Sequence, residues 1–310
     1  MRPLQRGRWT PLVYDALVDI VESAQPGDVA AFDFDGTVCC WDVSEAAVAE
    51  GVRREVFTDA DVLDLVCPPA GGVHWRDGLV RYYEALSACD TRRGTHFGHY
   101  PGSLWTAQVF AGHALATYLD CVDGGIAHHL GPRPIPEVVD LMDALAERGV
   151  AVYVVTAGIA WAVRRAVKAL VNPHMQRTGG LPLDRVLGIT ALLADPHSGA
   201  LLTDDAAIAL YGQDYLRGAP PCDDLLITAL TGGGLSFAGG KVAALIDRLD
   251  RAALHLAVGD GGGDVALMTL ARHGLWLADD AAPTSAALRP RMEVLGVLVQ
   301  PVRGGGELIA

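Results

Sequence analysis

Residues 28–37 read Asp28-Val29-Ala30-Ala31-Phe32-Asp33-Phe34-Asp35-Gly36-Thr37. The apolar run ending at Phe32 is short, unbroken and closed by Asp and Gly, the pattern of a buried strand entering a loop. A strand that is apolar at every position is covered on both faces, so a parallel sheet flanked by helices is expected. Three later runs have the same character: Val150–Val155 (VAVYVV), Leu254–Val258 (LHLAV) and the GLWLAD segment at 274–279. Helical periodicity lies between them. Pro136 opens a stretch with Val138, Leu141, Met142 and Leu145 in phase, stopped by Gly149. Gly240-Lys241 leads another, with Val242, Leu245, Ile246 and Leu249 on one face. Strands alternating with helices predict an α/β fold whose ligand sits at the carboxyl ends of the strands. The Asp, Thr and Gly punctuation of the chain falls at those ends.

Between Thr37 and Pro132 the strand-like runs stop and helical periodicity takes over, in stretches such as Ser44–Arg54, Gly78–Ala88 and Trp105–Leu119. This region reads as a helical cap, residues 39–132, inserted after the first strand and lying over the sheet. Residues 1–38 and 133–310 then form the α/β core, with Gly232–Gly240 as a loop.

Composition bounds the function. The chain has 310 residues, 51% of them apolar, and a net charge of −13. That is enough to bury a full core, and it excludes disorder. No Lys/Arg stripe is present, which argues against nucleic acid as partner. No apolar run reaches the roughly 18–20 residues of a membrane span. Asp15, Asp19 and Glu22 interrupt the segment where a signal peptide would need an apolar stretch, so a cytoplasmic location is expected. The six cysteines show no C-x-x-C spacing and are expected to be free thiols. The histidine pairs His96/His99 and His128/His129 lack partners at ligand spacing and read as surface loop.

Four signals carry chemistry. Asp33 and Asp35, two apart after a strand, place both carboxylates at one site, where a divalent cation relieves their repulsion. An Asp-rich turn is the plainer alternative. Thr156, followed by Gly158 and a helix, suits a phosphate oxygen, or serves only as a helix N-cap. Lys241 is one of two lysines, the other being Lys168, in a chain otherwise reliant on Arg, which hints at a required point charge. Asp260 and Asp264 bracket Gly261-Gly262-Gly263 at a strand end and fit a cation site. The same segment is a poor nucleotide fingerprint, because Asp264 stands where a glycine is needed, and residues 235–242 do not make a Walker loop.

In this order the four signals resemble the haloacid dehalogenase-like (HAD) phosphohydrolase superfamily, over nearly the whole chain and nearest its phosphoserine and phosphocholine phosphatase branch. Asp33-Phe34-Asp35-Gly36-Thr37 is similar to the first motif, Thr156 to the second, Lys241 to the third and Asp260 to Asp264 to the fourth. The resemblance implies a Rossmann-like parallel sheet with an inserted helical cap. Asp33 would be the nucleophile and Asp35 the acid and base. Thr156, Gly158 and Lys241 would hold phosphate, and Mg²⁺ would sit among Asp33, Asp35, Asp260 and Asp264. One departure stands out: phosphoserine phosphatases usually read GDGxND in the acidic loop, and Gly263 replaces the Asn. Phosphoserine itself is therefore in question.

The expected substrate is a small phosphorylated metabolite. Asp42 falls where phosphoserine phosphatases carry an acid that meets the substrate amine. With Trp41, Trp75 and Trp105 near in sequence, it suggests a cationic leaving group such as an amino acid, ethanolamine or choline. Ordinary cap core is the alternative for these tryptophans. A phosphotransferase or phosphomutase would keep every motif, and a silent phosphate-binding module would keep the fold. A dehalogenase would not need Asp35. Nothing in the sequence sets the oligomeric state.

Overall fold

Val29–Phe32 forms the strand expected of it, paired in parallel with Ala151–Ile159 on one side and Leu254–Gly259 on the other. The computed structural model describes residues 3–92, 100–128, 133–233, 236–246, 249, 254–304 and 306–309; His96, His99 and His129 lie outside them. Val186–Ile189 extends the sheet past Ala151–Ile159, and Ala271–Asp279 and Leu298–Arg303 extend it past Leu254–Gly259. The edge strand Glu307–Leu308 runs antiparallel, completing seven strands among the described residues. Val186–Ile189, Leu298–Arg303 and Glu307–Leu308 were not foreseen from the sequence.

The all-apolar strands are explained by two separate cores. Ala30 and Phe32, Leu256 and Val258, and Leu275 and Leu277 face one layer, with Val13, Leu17, Val138, Leu141 and Leu145 from helices Pro11–Ser23 and Pro136–Glu147. Val29, Ala31, Ala257, Trp276 and Ala278 face the other, against Leu245, Val265, Met268 and Met292. Full burial of an aromatic such as Phe32, which has no exposed surface, is worth about 1.5–3 kcal/mol. Pro136 opens its helix, and Gly149, at φ +82°, ends the turn beside Pro26.

The chain leaves the sheet layer at Cys39–Cys40 and returns at Arg133–Pro134, and these two short segments pair antiparallel as a neck. Between them run the helices Val43–Arg53, Ala60–Val66, Leu79–Arg92, Tyr100–Gln108 and Leu115–His128. The stretch Trp105–Leu119, read as continuous helix, is interrupted. Gly112 takes φ +85° and its N–H goes to Ile227 O at 2.8 Å, while Ile227 N donates to His113 O and Leu115 N to Leu225 O. The partner in these bonds is an unforeseen antiparallel sheet of Leu201–Leu202, Ala191–Ala194 and Leu226–Thr231. Tyr82, Trp105, Phe110 and Tyr118 from the helical segment and Leu193, Tyr215 and Ile227 from around this sheet share one apolar cluster. Two stretches far apart in sequence thus build one layer over the parallel sheet.

Among the described residues no helix is long and apolar enough to cross a membrane. Cys39, Cys40, Cys67, Cys121 and Cys222 are buried and form no disulfide among the described residues. His128 lies against Glu50 at 3.4 Å.

Candidate active site

The loop after Val29–Phe32 is wound tightly around one carbonyl: Phe34 O accepts from Thr37 N, Val38 N and Cys39 N. Phe34 is fully buried and pins the loop, while Asp33 N continues the sheet ladder to Val258 O at 2.9 Å. Gly36 sits at φ +74°, and a Cβ there would lie 2.3 Å from Asp260 Oδ2, so only glycine allows this approach.

Asp33, Asp35, Thr156, Gly158, Lys241, Asp260 and Asp264 all line one cavity of about 420 Å³ at the carboxyl ends of the strands. Lys241 lies in the first turn of Gly239–Ile246 and points inward, fully buried, with Nζ 2.6 Å from both Asp33 Oδ1 and Asp264 Oδ1. The other oxygen of Asp264 accepts from Asp260 N and Gly261 N, so this side chain shapes the glycine loop. Trp276 Nε1 donates to Asp260 O at 2.9 Å and anchors the same loop from below, a role the sequence did not reveal.

Thr156 is placed differently from the expectation. The strand continues to Ile159 and the helix begins only at Ala160, so Thr156 is not at a helix N-terminus. A bulge between Val155 and Ile159 turns this part of the strand into the cavity instead. Thr156 Oγ1 accepts from Gly158 N at 2.8 Å and lies 3.5 Å from Asp35 Oδ2, and Ser236 Oγ donates to Thr156 O at 2.6 Å. The Gly158 N–H, expected on a phosphate, is spent on Thr156.

Asp42 lines the cavity, but its Oδ1 accepts from Ser44 N and Glu45 N as the N-cap of Val43–Arg53. Trp41 is a correction. It is 51% exposed at φ +65° and is not part of the cavity wall. Trp105 is buried in the upper apolar cluster with its Nε1 on Cys67 Sγ, and Trp75 donates to Asp64. The tryptophans form no box around a cation. The helical segment between Cys40 and Arg133 does contribute Glu45, Tyr83 and Ser103 to the cavity, none of them anticipated, with Tyr83 Oη donating to Glu45 Oε1 at 2.6 Å.

Electrostatics follow from crowding acids in a buried place. Burial first, and Asp264 next, push Asp33 up to about 6 against the pull of Lys241. Burial, then Asp42 and Asp33, hold Asp35 well above the usual carboxylate range. Burial and the carboxylates of Asp33 and Asp264 do the same to Asp260. Burial and Glu45 lift Asp42 to about 7. For Lys241 burial works against the charge, but Asp264 and Asp33 override it and keep the ammonium protonated. The site carries an excess of negative charge that protons or a cation must offset.

Oxygen atoms of Asp33, Asp260 and Asp264 lie within 4.8 Å of one another. The Asp260 carboxylate, unlike the other two, takes no hydrogen bond from Lys241. A hard, all-oxygen donor set with one carboxylate clear of the lysine fits Mg²⁺.

An aspartate pair leaving the central parallel strand, an inward lysine and an acidic glycine loop on the adjacent strand meet at the carboxyl edge of the sheet. The fold is α/β, with a mostly parallel sheet flanked by helices. This fold is shared across most of the chain by solved structures of low identity. A conserved, functionally unknown protein from Anaerococcus prevotii DSM 20548 is 16% identical, covers 97% of this chain and 94% of its own, and superposes with TM-score 0.61. A protein of unknown function from Bordetella pertussis Tohama I is 16% identical over 89% of this chain and 98% of its own, with TM-score 0.55. No family model matches the sequence, and the comparison with curated proteins found no match.

Proposed function

We propose that the protein is a Mg²⁺-dependent phosphomonoester hydrolase acting on a small phosphorylated metabolite through an aspartyl-phosphate. The observation that carries this reading is the contact of one buried lysine with both Asp33 and Asp264 inside a cavity that also holds Asp35 and Asp260. A phosphate monoester repels nucleophiles by its own charge, so catalysis is mainly positioning and neutralisation.

Asp33 would attack phosphorus in line with the ester oxygen, forming an acyl phosphate as the P–O bond to the leaving group breaks. Asp35, kept protonated by its buried surroundings, would give its proton to that oxygen. The resulting Asp35 carboxylate would then take a proton from the water that attacks the phosphorus, returning Asp33 and releasing phosphate. Lys241 would bind phosphoryl oxygens, and Thr156, through Oγ1, would hold both Asp35 and the loop. Mg²⁺ would be held by Asp33, Asp260 and the backbone carbonyl of Asp35, with Asp264 ordering the loop, and it would neutralise charge on the phosphate.

The leaving group is read from the wall under the cap. Glu45, steadied by Tyr83, faces the cavity, and Lys241 is the one cation lining it among the described residues. A positively charged leaving group, such as an amino alcohol or amino acid, suits that wall. The test is hydrolysis of p-nitrophenyl phosphate with and without Mg²⁺, wild type against Asp33→Asn. Metal-dependent release of phosphate that Asp33→Asn abolishes supports the reading. Turnover that persists in Asp33→Asn refutes it.

A further inference from the structure

The N-terminus of Val43–Arg53 has an unusual distribution of its free N–H groups. A helix leaves its first four without an internal partner. Of those on the helical residues, Asp42 Oδ1 takes Ser44 N at 2.7 Å and Glu45 N at 2.9 Å, while Ala46 N makes the first internal bond, to Asp42 O at 3.2 Å. The remaining one, Val43 N, donates not to its own cap but to Asp35 Oδ1 at 3.2 Å. Asp35 is thereby held at one oxygen by the cap helix and approached at the other by Thr156 Oγ1. Trp41, in the left-handed region at φ +65°, makes the turn that brings the helix start over the loop.

We infer that Asp42 is a positioning residue for Asp35: by capping Val43–Arg53 it fixes the first turn, and the Val43 N–H of that turn aims the Asp35 carboxyl at the leaving oxygen. The inference rests on the phosphatase reading above, and it gives Asp42 a different task from the cation contact expected of it. What matters is a cap-competent oxygen, which Asn supplies as well as Asp, rather than a negative charge. Val43, as the first helical residue, occupies the place where proline is accepted, and the extended Asp42 backbone (ψ 122°) is compatible with a following proline. Val43→Pro therefore deletes the N–H while leaving the cap in place.

The experiment compares phenyl phosphate, whose leaving oxygen needs a proton, with p-nitrophenyl phosphate, whose leaving group departs readily as an anion. Asp42→Ala should lose about tenfold more kcat on phenyl phosphate than on p-nitrophenyl phosphate, because misaimed acid catalysis hurts only the poorer leaving group. KM should stay within about twofold of wild type for both esters, since neither substitution touches bound phosphate. Asp42→Asn should restore most of what Ala loses, and Val43→Pro should reproduce the selective loss. Equal losses on both esters in Asp42→Ala, an Asn variant as poor as Ala, or an unchanged ratio in Val43→Pro would each overturn the inference. If Asp42→Ala does not fold, judged by its thermal melt, the Val43→Pro ratio decides. A wild type without Mg²⁺-dependent cleavage of either ester is a different result, which removes the phosphatase reading and this inference with it.

Discussion

Lys241 and Asp33 are 208 residues apart in sequence and 2.6 Å apart in the folded chain. The ammonium is buried and shared with Asp264, so it neutralises two carboxylates that would otherwise repel each other in a poorly solvated place.

Removing that ammonium leaves two buried acids unpaired. Lys241→Met is expected to destabilise the fold by about 3–5 kcal/mol near neutral pH, as breaking one side of a buried pair does. Denaturant unfolding reads this directly. Phosphatase activity should fall by roughly 100-fold or more, as for loss of a group facing developing charge. A Met variant as stable as wild type would mean that the ammonium does not offset the buried charge of this pair.

Metal dependence should vary with pH. The Asp33 carboxyl sits at about 6 and Asp42 at about 7, against an ordinary 3.8. A raised carboxyl value means the folded state binds more protons than the unfolded one, so stability falls as pH rises from about 4 to about 7. On the proposed reading, Mg²⁺ would bind the ionised form and offset that loss. The rise in Tm on adding Mg²⁺ should be larger near about pH 8 than near about pH 5. Asp260→Asn should remove it. Equal shifts at both pH values would count against a carboxylate site.

Recognition of the leaving group should depend on Glu45 and not on Trp41. Glu45→Gln is expected to raise KM for phosphoethanolamine or phosphocholine severalfold while leaving p-nitrophenyl phosphate nearly unchanged. Trp41→Ala should alter neither ratio, because Trp41 lies outside the cavity wall. Initial-rate kinetics on these three esters settles both. A Glu45→Gln enzyme with unaltered preference would remove the cationic leaving group from consideration.

Acid stability has a named contributor in helix Val43–Arg53. Glu50 is held down at about 2 by its bond to Arg53, against its burial, with help from His128. A depressed carboxylate contributes stability above its unfolded value of 4.5 and loses it as pH falls toward 2. Glu50→Gln should therefore cost stability at neutral pH and show a flatter decline in Tm through that acid range. An identical acid limb in thermal melts of the two proteins would contradict the Arg53 contact.

Much of the lower layer was legible because its signals are local. Residues 28–37 state a buried strand and its loop within one short window, and Asp260 to Asp264 do the same on the neighbouring strand. The short strand Leu226–Thr231 could not be recognised that way, since its partners, Ala191–Ala194 and the turn at 112–115, are distant in sequence. Thr156 was misplaced for a related reason. A bulge extends its strand to Ile159, and bulges carry no strong sequence mark. Asp42 was recognised as belonging near the site, yet its cap geometry depends on where Val43–Arg53 begins.

The sequence by itself marked the residues that the proposed chemistry uses, Asp33, Asp35, Thr156, Lys241, Asp260 and Asp264, all but Thr156 at a strand end or helix start set by local apolar pattern. The tertiary structure alone decided which of them touch, that Lys241 serves Asp33 and Asp264 together, that Trp41 faces out, and that Glu45 and Tyr83 face in. Local propensity is encoded over a few residues. Contact across the fold is a property of packing, and the Leu226–Thr231 strand that seats the helical segment lies more than a hundred positions from the residues it meets there.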